Sequence, residues 1–230
     1  LYKKNIIAIR GSFRPVTKVN VDMYRKSVSI FEKEPDSDPD NSLVIFEITL
    51  SNLMTTGAID EEDFMDRAKL LCSLGQTVMI SNFKEYYKLA EYFSEYTEKK
   101  IRLTMGVNNL IEIFNEKYYR NLSGGILEAF GKLFFKNLKV YLYPIIDPET
   151  GNIIDSNSLR VHPRLKELYN FFKYNDKVVD ILDYNPDDMK IFSRDILAKI
   201  KNGEKGWENK LPEGISKLIK TKKLFGFKIH

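Results

Sequence analysis

Arg10-Gly11-Ser12-Phe13-Arg14-Pro15-Val16-Thr17-Lys18-Val19-Asn20 carries the strongest structural signal in this chain. The apolar run Ile6 to Ile9 precedes it and predicts a buried strand that ends in a glycine turn. A helix is expected to begin near Asn20, because apolar side chains then recur at helical spacing: Val21, Tyr24, Val28 and Phe31. A strand, a glycine turn and a helix N-terminus direct backbone N–H groups and the helix dipole at one point, which favours an anion. A tight turn without a ligand is the alternative interpretation.

The chain continues as an alternation of predicted strands and helices. Apolar runs predict strands at 43–50, 77–80, 101–105 and 138–143, and helical periodicity predicts helices at 60–74, 84–99, 108–120 and 123–136. Asp60 is expected to cap the first of these helices. This order is typical of a parallel sheet of about five strands with helices on both faces. The run Ile6 to Ile9 is expected at the centre of the sheet, because a continuous apolar strand suits burial on both sides.

Polar residues end several of the predicted strands. Ligands of parallel sheets bind outside the carboxyl ends of the strands. The stretch from Gly11 to Asn20 would lie there, together with the pairs Ser51-Asn52 and Ser81-Asn82. Helix capping and turn formation are the alternative roles of those two pairs.

Composition limits the class of protein. The 230 residues are 43% hydrophobic and 13% aromatic with a net charge of +4, which indicates a folded globular protein. No apolar run approaches the ~20 residues of a membrane span. Cys72 is the single cysteine, so a disulfide framework is excluded, and a cytoplasmic location is expected. The chain starts at Leu1 rather than Met, so a fragment of a longer protein and a homo-oligomer both stay open.

Two further features favour simple structural roles. Residues 201–230 hold eight Lys and three Glu, but aromatic residues for base stacking are sparse there, so nucleic acid is not an expected partner. His162 has no second His or Cys at metal-ligand spacing, so no metal site is predicted.

The first stretch resembles a known signature. Gly11-Ser12-Phe13, Pro15 and Thr17, followed by Asn20, are similar to the GxFxPxHxGH motif of the nucleotidylyltransferase superfamily. That superfamily includes the nicotinamide and nicotinate mononucleotide adenylyltransferases. Late in the chain, the stretch from Ile191 to Ile200 resembles the second signature of that superfamily, ISSTxIR followed by a helix. The two signatures occur in the expected order at opposite ends of the chain.

The resemblance implies a fold, a ligand and a set of site residues. It implies a Rossmann-like core formed by residues 1–106 and 188–230, with 107–187 as a mainly helical insertion that contains a hairpin. It also implies adenylyl transfer from ATP, with Mg²⁺, to a mononucleotide such as nicotinate mononucleotide. The catalytic candidates are Asn20, Thr17, Arg14 and Lys18, and the nucleotide-binding candidates are Gly11, Ser12, Phe13, Ser193 and Arg194. Ser193 is further expected to cap a helix whose N-terminus faces the same cleft as Gly11.

The chain also departs from both signatures. Thr17 and Asn20 stand at the two His positions, and Leu197 stands at the late Arg position. Adenylyl transfer depends mostly on positioning and on stabilising charge at phosphate oxygens, and loss of one such donor typically costs ~2.7–4 kcal/mol. Two interpretations stay open on this basis. Either a rearranged set of cations supports catalysis, or the chain is an inactive nucleotide-binding or interaction domain.

Overall fold

The computed structural model describes residues 1–50, 61–135, 137–147 and 149–228. The predicted Ser51-Asn52 pair and the predicted cap Asp60 lie outside these residues. The strands are β1 Asn5–Arg10, β2 Ser42–Thr49, β3 Thr77–Ser81, β4 Ile101–Gly106, β5 Leu138–Tyr143, β6 Ile145–Ile146, β7 Ile153–Ile154 and β8 Val178–Asp180.

The helices follow the strands in an alternating order. The α-helices are α1 Lys18–Glu32, α2 Glu61–Ser73, α3 Tyr86–Tyr96, α4 Val107–Ile113, α5 Gly125–Leu133, α6 Lys166–Tyr174, α7 Ser193–Asn202 and α8 Ile215–Lys222. Short 3-10 helices occur at Glu116–Tyr119, Pro163–Leu165, Asp188–Lys190, Glu208–Lys210 and Leu224–Gly226. The helix predicted over 108–120 is thus two elements, because the Asn115 side chain accepts the Lys117 N–H and starts a separate turn. No helix within the described ranges is long and apolar enough to cross a membrane.

The central sheet has six strands in the order β3-β2-β1-β4-β5-β8, and every neighbouring pair is parallel. The predicted parallel α/β fold is therefore confirmed, and β1 lies inside the sheet between β2 and β4, as expected. The sixth strand, β8, was not predicted, because three residues are too few for a periodic pattern. A separate antiparallel pair joins β6 to β7, which corresponds to the predicted hairpin.

Helices cover both faces of this sheet, and the central strand β1 is apolar on both sides. Along β1, Ile6 and Ala8 belong to one core cluster, with side chains from α3, α4, α5 and α6. Ile7 and Ile9 belong to the other cluster, with side chains from α1, α2, α7 and α8. The late helices α7 and α8 therefore pack on the same sheet face as α1.

The segment 107–187 contributes to the sheet as well as to the helices around it. Both β5 and β8 come from this segment, and β5 pairs with β4 along its whole length. The division of the chain into a core and an insertion stays a prediction. The sheet itself extends across that division.

The strand order reverses next to β1. From β1 the chain adds β2 and β3 on one side, and then returns to place β4, β5 and β8 on the other. The carboxyl ends of β1 and β4 therefore flank a topological switch point, which is where open parallel sheets leave a crevice for ligands.

Candidate functional site

A cavity of about 610 Å³ lies at this switch point. Its walls come from the ends of β1, β2, β4 and β5 and from the starts of α1, α4 and α7. The lining residues include Arg10, Gly11, Ser12, Phe13, Asn20, Thr49, Lys84, Tyr86, Asn108, Asn109, Tyr143, Phe192 and Ser193. Five of the nine residues predicted for the site are among them: Gly11, Ser12, Phe13, Asn20 and Ser193.

Phe13 holds the glycine turn against the core. It adopts a left-handed backbone conformation with φ of 47°, which is uncommon for a residue with a bulky side chain. Its ring is 2% exposed and lies 5.3 Å from the ring of Phe46, measured between centroids. A Cβ atom on Gly11 would lie only 2.9 Å from Cζ of this ring. Gly11 is therefore required by close packing inside the turn.

We expect Gly11→Ala to lower the free energy of unfolding by about 1–3 kcal/mol, because the added methyl group must displace the buried Phe13 ring. Urea denaturation measures this change. Gly131→Ala is the matched control: Gly131 lies within α5, a Cβ there meets nothing within 4 Å, and alanine should stabilise that helix by roughly 0.5–1 kcal/mol. Equal effects of the two substitutions would contradict the packing role of Gly11.

Thr17 and Asn20 form the start of α1. The helix begins at Lys18, two residues before the predicted start, with Thr17 as its N-cap. The Asn20 side-chain oxygen accepts hydrogen bonds from the Thr17 N–H at 2.9 Å and the Thr17 hydroxyl at 3.0 Å. Thr17 is buried and is not one of the described lining residues, whereas Asn20 does line the cavity. Thr17 therefore orients Asn20, which keeps its amide N–H groups for a ligand.

Three predicted cationic residues lie away from the cavity lining that the structure describes. Arg14 donates a hydrogen bond of 2.5 Å from Nε to Oδ1 of Asp63 on α2. Lys18 is exposed and borders a different pocket that contains Asp22. The Arg194 side chain is 90% exposed. The sequence placed these residues near the site, but chain proximity does not determine side-chain direction.

Ser193 lies on the same cavity as Gly11, which confirms the expected convergence of the two ends of the chain. Its expected role as a helix cap is wrong by one residue. Phe192 is the N-cap of α7, with extended backbone angles φ −107° and ψ 119°, and Ser193 is already the first helical residue. Ser193 and the cap residue Phe192 both line the cavity, so the start of this ten-residue helix borders it.

A buried ion pair forms the base of the cavity. Arg10 Nε lies 2.5 Å from Glu47 Oε2, and a second guanidinium N–H donates to Glu47 Oε1 at 3.2 Å. The two side chains are 5% and 0% exposed, and the Ser81 hydroxyl also donates to Glu47. The remaining Arg10 nitrogen donates to the Lys84 carbonyl at 3.3 Å. Glu47 thus compensates the Arg10 charge, and these hydrogen bonds fix the plane of the guanidinium group.

Lys84 and Tyr86 form a polar wall beside Arg10. The Arg10 guanidinium carbon lies 4.5 Å from the centroid of the Tyr86 ring. The Tyr86 hydroxyl accepts a hydrogen bond of 2.6 Å from Nδ2 of Asn109. Burial raises the Tyr86 pKa, although nearby Arg10 opposes the shift, so the phenol stays protonated and can donate to a ligand. Lys84 has no ion-pair partner in the described parts of the chain, so its charge is not compensated there.

Tyr143 connects β5 to α1 at the edge of the cavity. Its hydroxyl donates a hydrogen bond of 2.6 Å to Oδ2 of Asp22, which also accepts the Asn185 N–H at 3.0 Å. Burial, and then the bond to Asp22, raises the Tyr143 pKa, so the phenol is neutral at ordinary pH. Asp22 is thereby directed at Tyr143 and is not one of the described lining residues.

The cavity residues do not fit a resident Mg²⁺ ion. Mg²⁺ in nucleotide sites is usually held by one or two carboxylates together with the substrate phosphates. No carboxylate is found among the lining residues that the structure describes, and Glu47 behind them is engaged by Arg10 and Ser81. The described ranges also contain no cluster of three His, Cys, Asp or Glu that could hold a metal.

The fold is the Rossmann-like α/β fold of the nicotinate mononucleotide adenylyltransferases. The structure of Plasmodium falciparum nicotinic acid mononucleotide adenylyltransferase complexed with NaAD is similar to this chain with a TM-score of 0.60 and 14% identity. The same enzyme complexed with APC gives a TM-score of 0.58 and 13% identity. Each match covers 99% of this chain and 100% of the other. No family model and no curated protein sequence matches the chain. At this identity the likeness establishes the fold, which the resemblance had implied.

Proposed function

We propose that this chain binds a nucleotide in the cavity at the switch point and acts as a nucleotidylyltransferase. The observation that carries the proposal is the convergence of the Gly11 turn and the start of α7, two distant parts of the sequence, on one cavity. Backbone N–H groups at such turns and helix starts are suited to phosphate oxygens. The fold shared with nicotinic acid mononucleotide adenylyltransferase supports the same assignment.

The proposed reaction is adenylyl transfer from ATP to nicotinate or nicotinamide mononucleotide. A phosphate oxygen of the mononucleotide attacks the α-phosphorus of ATP, the bond from that phosphorus to the β-phosphate bridging oxygen breaks, and pyrophosphate leaves. The protein's part is to align the two phosphates and to stabilise the charge that grows on their oxygens. Mg²⁺ would have to be carried largely by the triphosphate, because the described lining offers no carboxylate.

We assign the charge stabilisation to Lys84, in place of the imidazoles that the superfamily signature would supply. Lys84 lines the cavity and lacks an ion-pair partner in the described residues, whereas Arg10 is neutralised by Glu47. Asn20 and Ser193, which also line the cavity, add neutral donors. We assign contacts with the acceptor nucleotide to three further polar residues of the lining, Tyr86, Asn108 and Asn109.

A nucleotide-binding domain without turnover is the second candidate. The observation that favours it is the engagement of the Asn20 side-chain oxygen by two hydrogen bonds from Thr17. Asn20 can then donate a neutral hydrogen bond, but it cannot supply the positive charge of a histidine at that position. Both candidates predict nucleotide binding, and they differ in catalysis.

Calorimetric titration with ATP and with nicotinate mononucleotide, with and without Mg²⁺, tests the proposal. We expect saturable ATP binding, because backbone N–H groups and a helix start do not depend on the substituted His positions. A parallel assay for dinucleotide and pyrophosphate separates the two candidates. Binding with product formation supports the transferase, and binding alone supports the inactive domain. Absence of ATP binding at millimolar concentration would contradict both.

A further inference from the structure

A second, smaller pocket lies beside α7. Its volume is about 200 Å³, and it shares Ile191 and Phe192 with the nucleotide cavity. Asp195, Ile196 and Lys199 contribute from α7, and Lys190 contributes from the segment before it. The remaining wall is Gly206, Trp207 and Lys210, from the chain after α7.

The pocket has an excess of positive charge. Lys190, Lys199 and Lys210 line it, and none of them has an ion-pair partner within the described residues. Asp195 is the one carboxylate on the described lining, and its Oδ1 lies 3.9 Å from Arg194 Nε, itself a cation. Three lysines against one aspartate leave the lining with an excess of positive charge, and a multivalent anion would offset it. Lys199 is half-buried, so its charge is screened less than those of the two exposed lysines.

The size of the pocket limits the occupant. Its volume is below the roughly 300–1,000 Å³ of pockets for drug-sized ligands. The volume is nevertheless several times the ~30 Å³ that one water occupies, so the pocket can hold a small polyanion. We propose that this pocket binds a phosphate-type anion of pyrophosphate size, either free or as the phosphate tail of a nucleotide. The proposal goes beyond the nucleotide site and does not depend on it.

Trp207 provides a direct readout, because it is the single tryptophan of the chain and forms one wall of the pocket. We expect inorganic pyrophosphate to change its fluorescence in a saturable way. KCl at matched ionic strength should not reproduce this change. Lys199→Met should weaken the apparent affinity at least about tenfold, because it removes a charged contact. Lys190→Met, at a second lysine of the same lining, should act in the same direction.

Lys217→Met is the matched control, because Lys217 is exposed on α8 and is not among the described residues of this pocket. Lys84→Met alters the nucleotide cavity and should leave the pyrophosphate response unchanged. A response to ATP alone, with the same dependence on Lys199, would support the nucleotide tail as the source of the anion. No response to either anion, or equal effects of Lys199→Met and Lys217→Met, would overturn the proposal. Loss of the response only in Lys84→Met would also overturn it, since pyrophosphate would then bind in the larger cavity.

Discussion

Glu47→Ala is expected to lower the free energy of unfolding by about 3–5 kcal/mol, which is the typical cost of leaving one buried charge without its partner. Glu47 is 0% exposed and binds Arg10 through two hydrogen bonds. Its removal leaves the buried Arg10 guanidinium without a carboxylate, with a hydrogen bond to the Lys84 carbonyl and a contact with the Tyr86 ring. Urea denaturation followed by circular dichroism measures the loss.

Two comparisons make this prediction specific. Glu91→Ala removes one partner of a half-exposed ion pair with Lys132, so its cost should stay at about 0–1 kcal/mol. The double variant Arg10→Met with Glu47→Leu removes both buried charges and should recover most of the lost stability. A loss for Glu47→Ala no larger than that for Glu91→Ala would show that the ion pair does not hold the base of the cavity together.

Lys84→Met is expected to lower kcat/KM for adenylyl transfer by about 10²–10³, the usual effect of removing one preorganised group that stabilises developing charge. Lys84 lines the described cavity, and no carboxylate in the described residues forms an ion pair with it. If the chain binds ATP without turnover, the same substitution should weaken ATP binding by at least about tenfold. Steady-state kinetics and calorimetry together cover both cases.

Lys88→Met is the control for this prediction. Lys88 lies on α3, is bonded to Glu85 at 2.8 Å, and is not among the described residues around the cavity. The same loss of a lysine charge there should leave both kcat/KM and ATP affinity close to those of the unmodified chain. Equal effects of the two substitutions would mean that Lys84 acts through the general field of the protein and makes no contact with the nucleotide.

Much of the fold could be predicted from local sequence patterns. The continuous apolar run Ile6 to Ile9 indicated a strand buried on both faces, and β1 lies inside the sheet with its alternate side chains in two separate cores. The three-residue strand β8 was missed, because its pairing with β5 depends on a long-range contact that leaves little trace in so short a segment. The predicted start of α1 was two residues too late, because the Thr17 cap determines where that helix begins and the apolar stripe does not.

The candidate site was only partly predictable, for a related reason. The order of strands and helices determines where a backbone segment lies. Two signatures were therefore enough to predict that Gly11, Asn20 and Ser193 lie near one cavity. The direction of a long side chain depends on the partner that it bonds. Arg14 bonds Asp63 on α2 and does not line the described cavity. Lys84 and Tyr86 follow β3 at the edge where ligands bind, but no motif marks them. Glu47 interrupts an apolar strand, and a buried carboxylate needs a charged partner. That was the sequence feature that could have indicated the buried pair with Arg10.

The central claim is that a nucleotide binds between the Gly11 turn and the start of α7. Co-crystallisation with a non-hydrolysable ATP analogue tests it most directly. We expect density for the phosphates within about 3 Å of backbone N–H groups of the turn from Gly11 to Phe13 and of the first residues of α7. Phosphates bound elsewhere, such as the pocket beside Lys18 and Arg25, with this cavity empty, would contradict it.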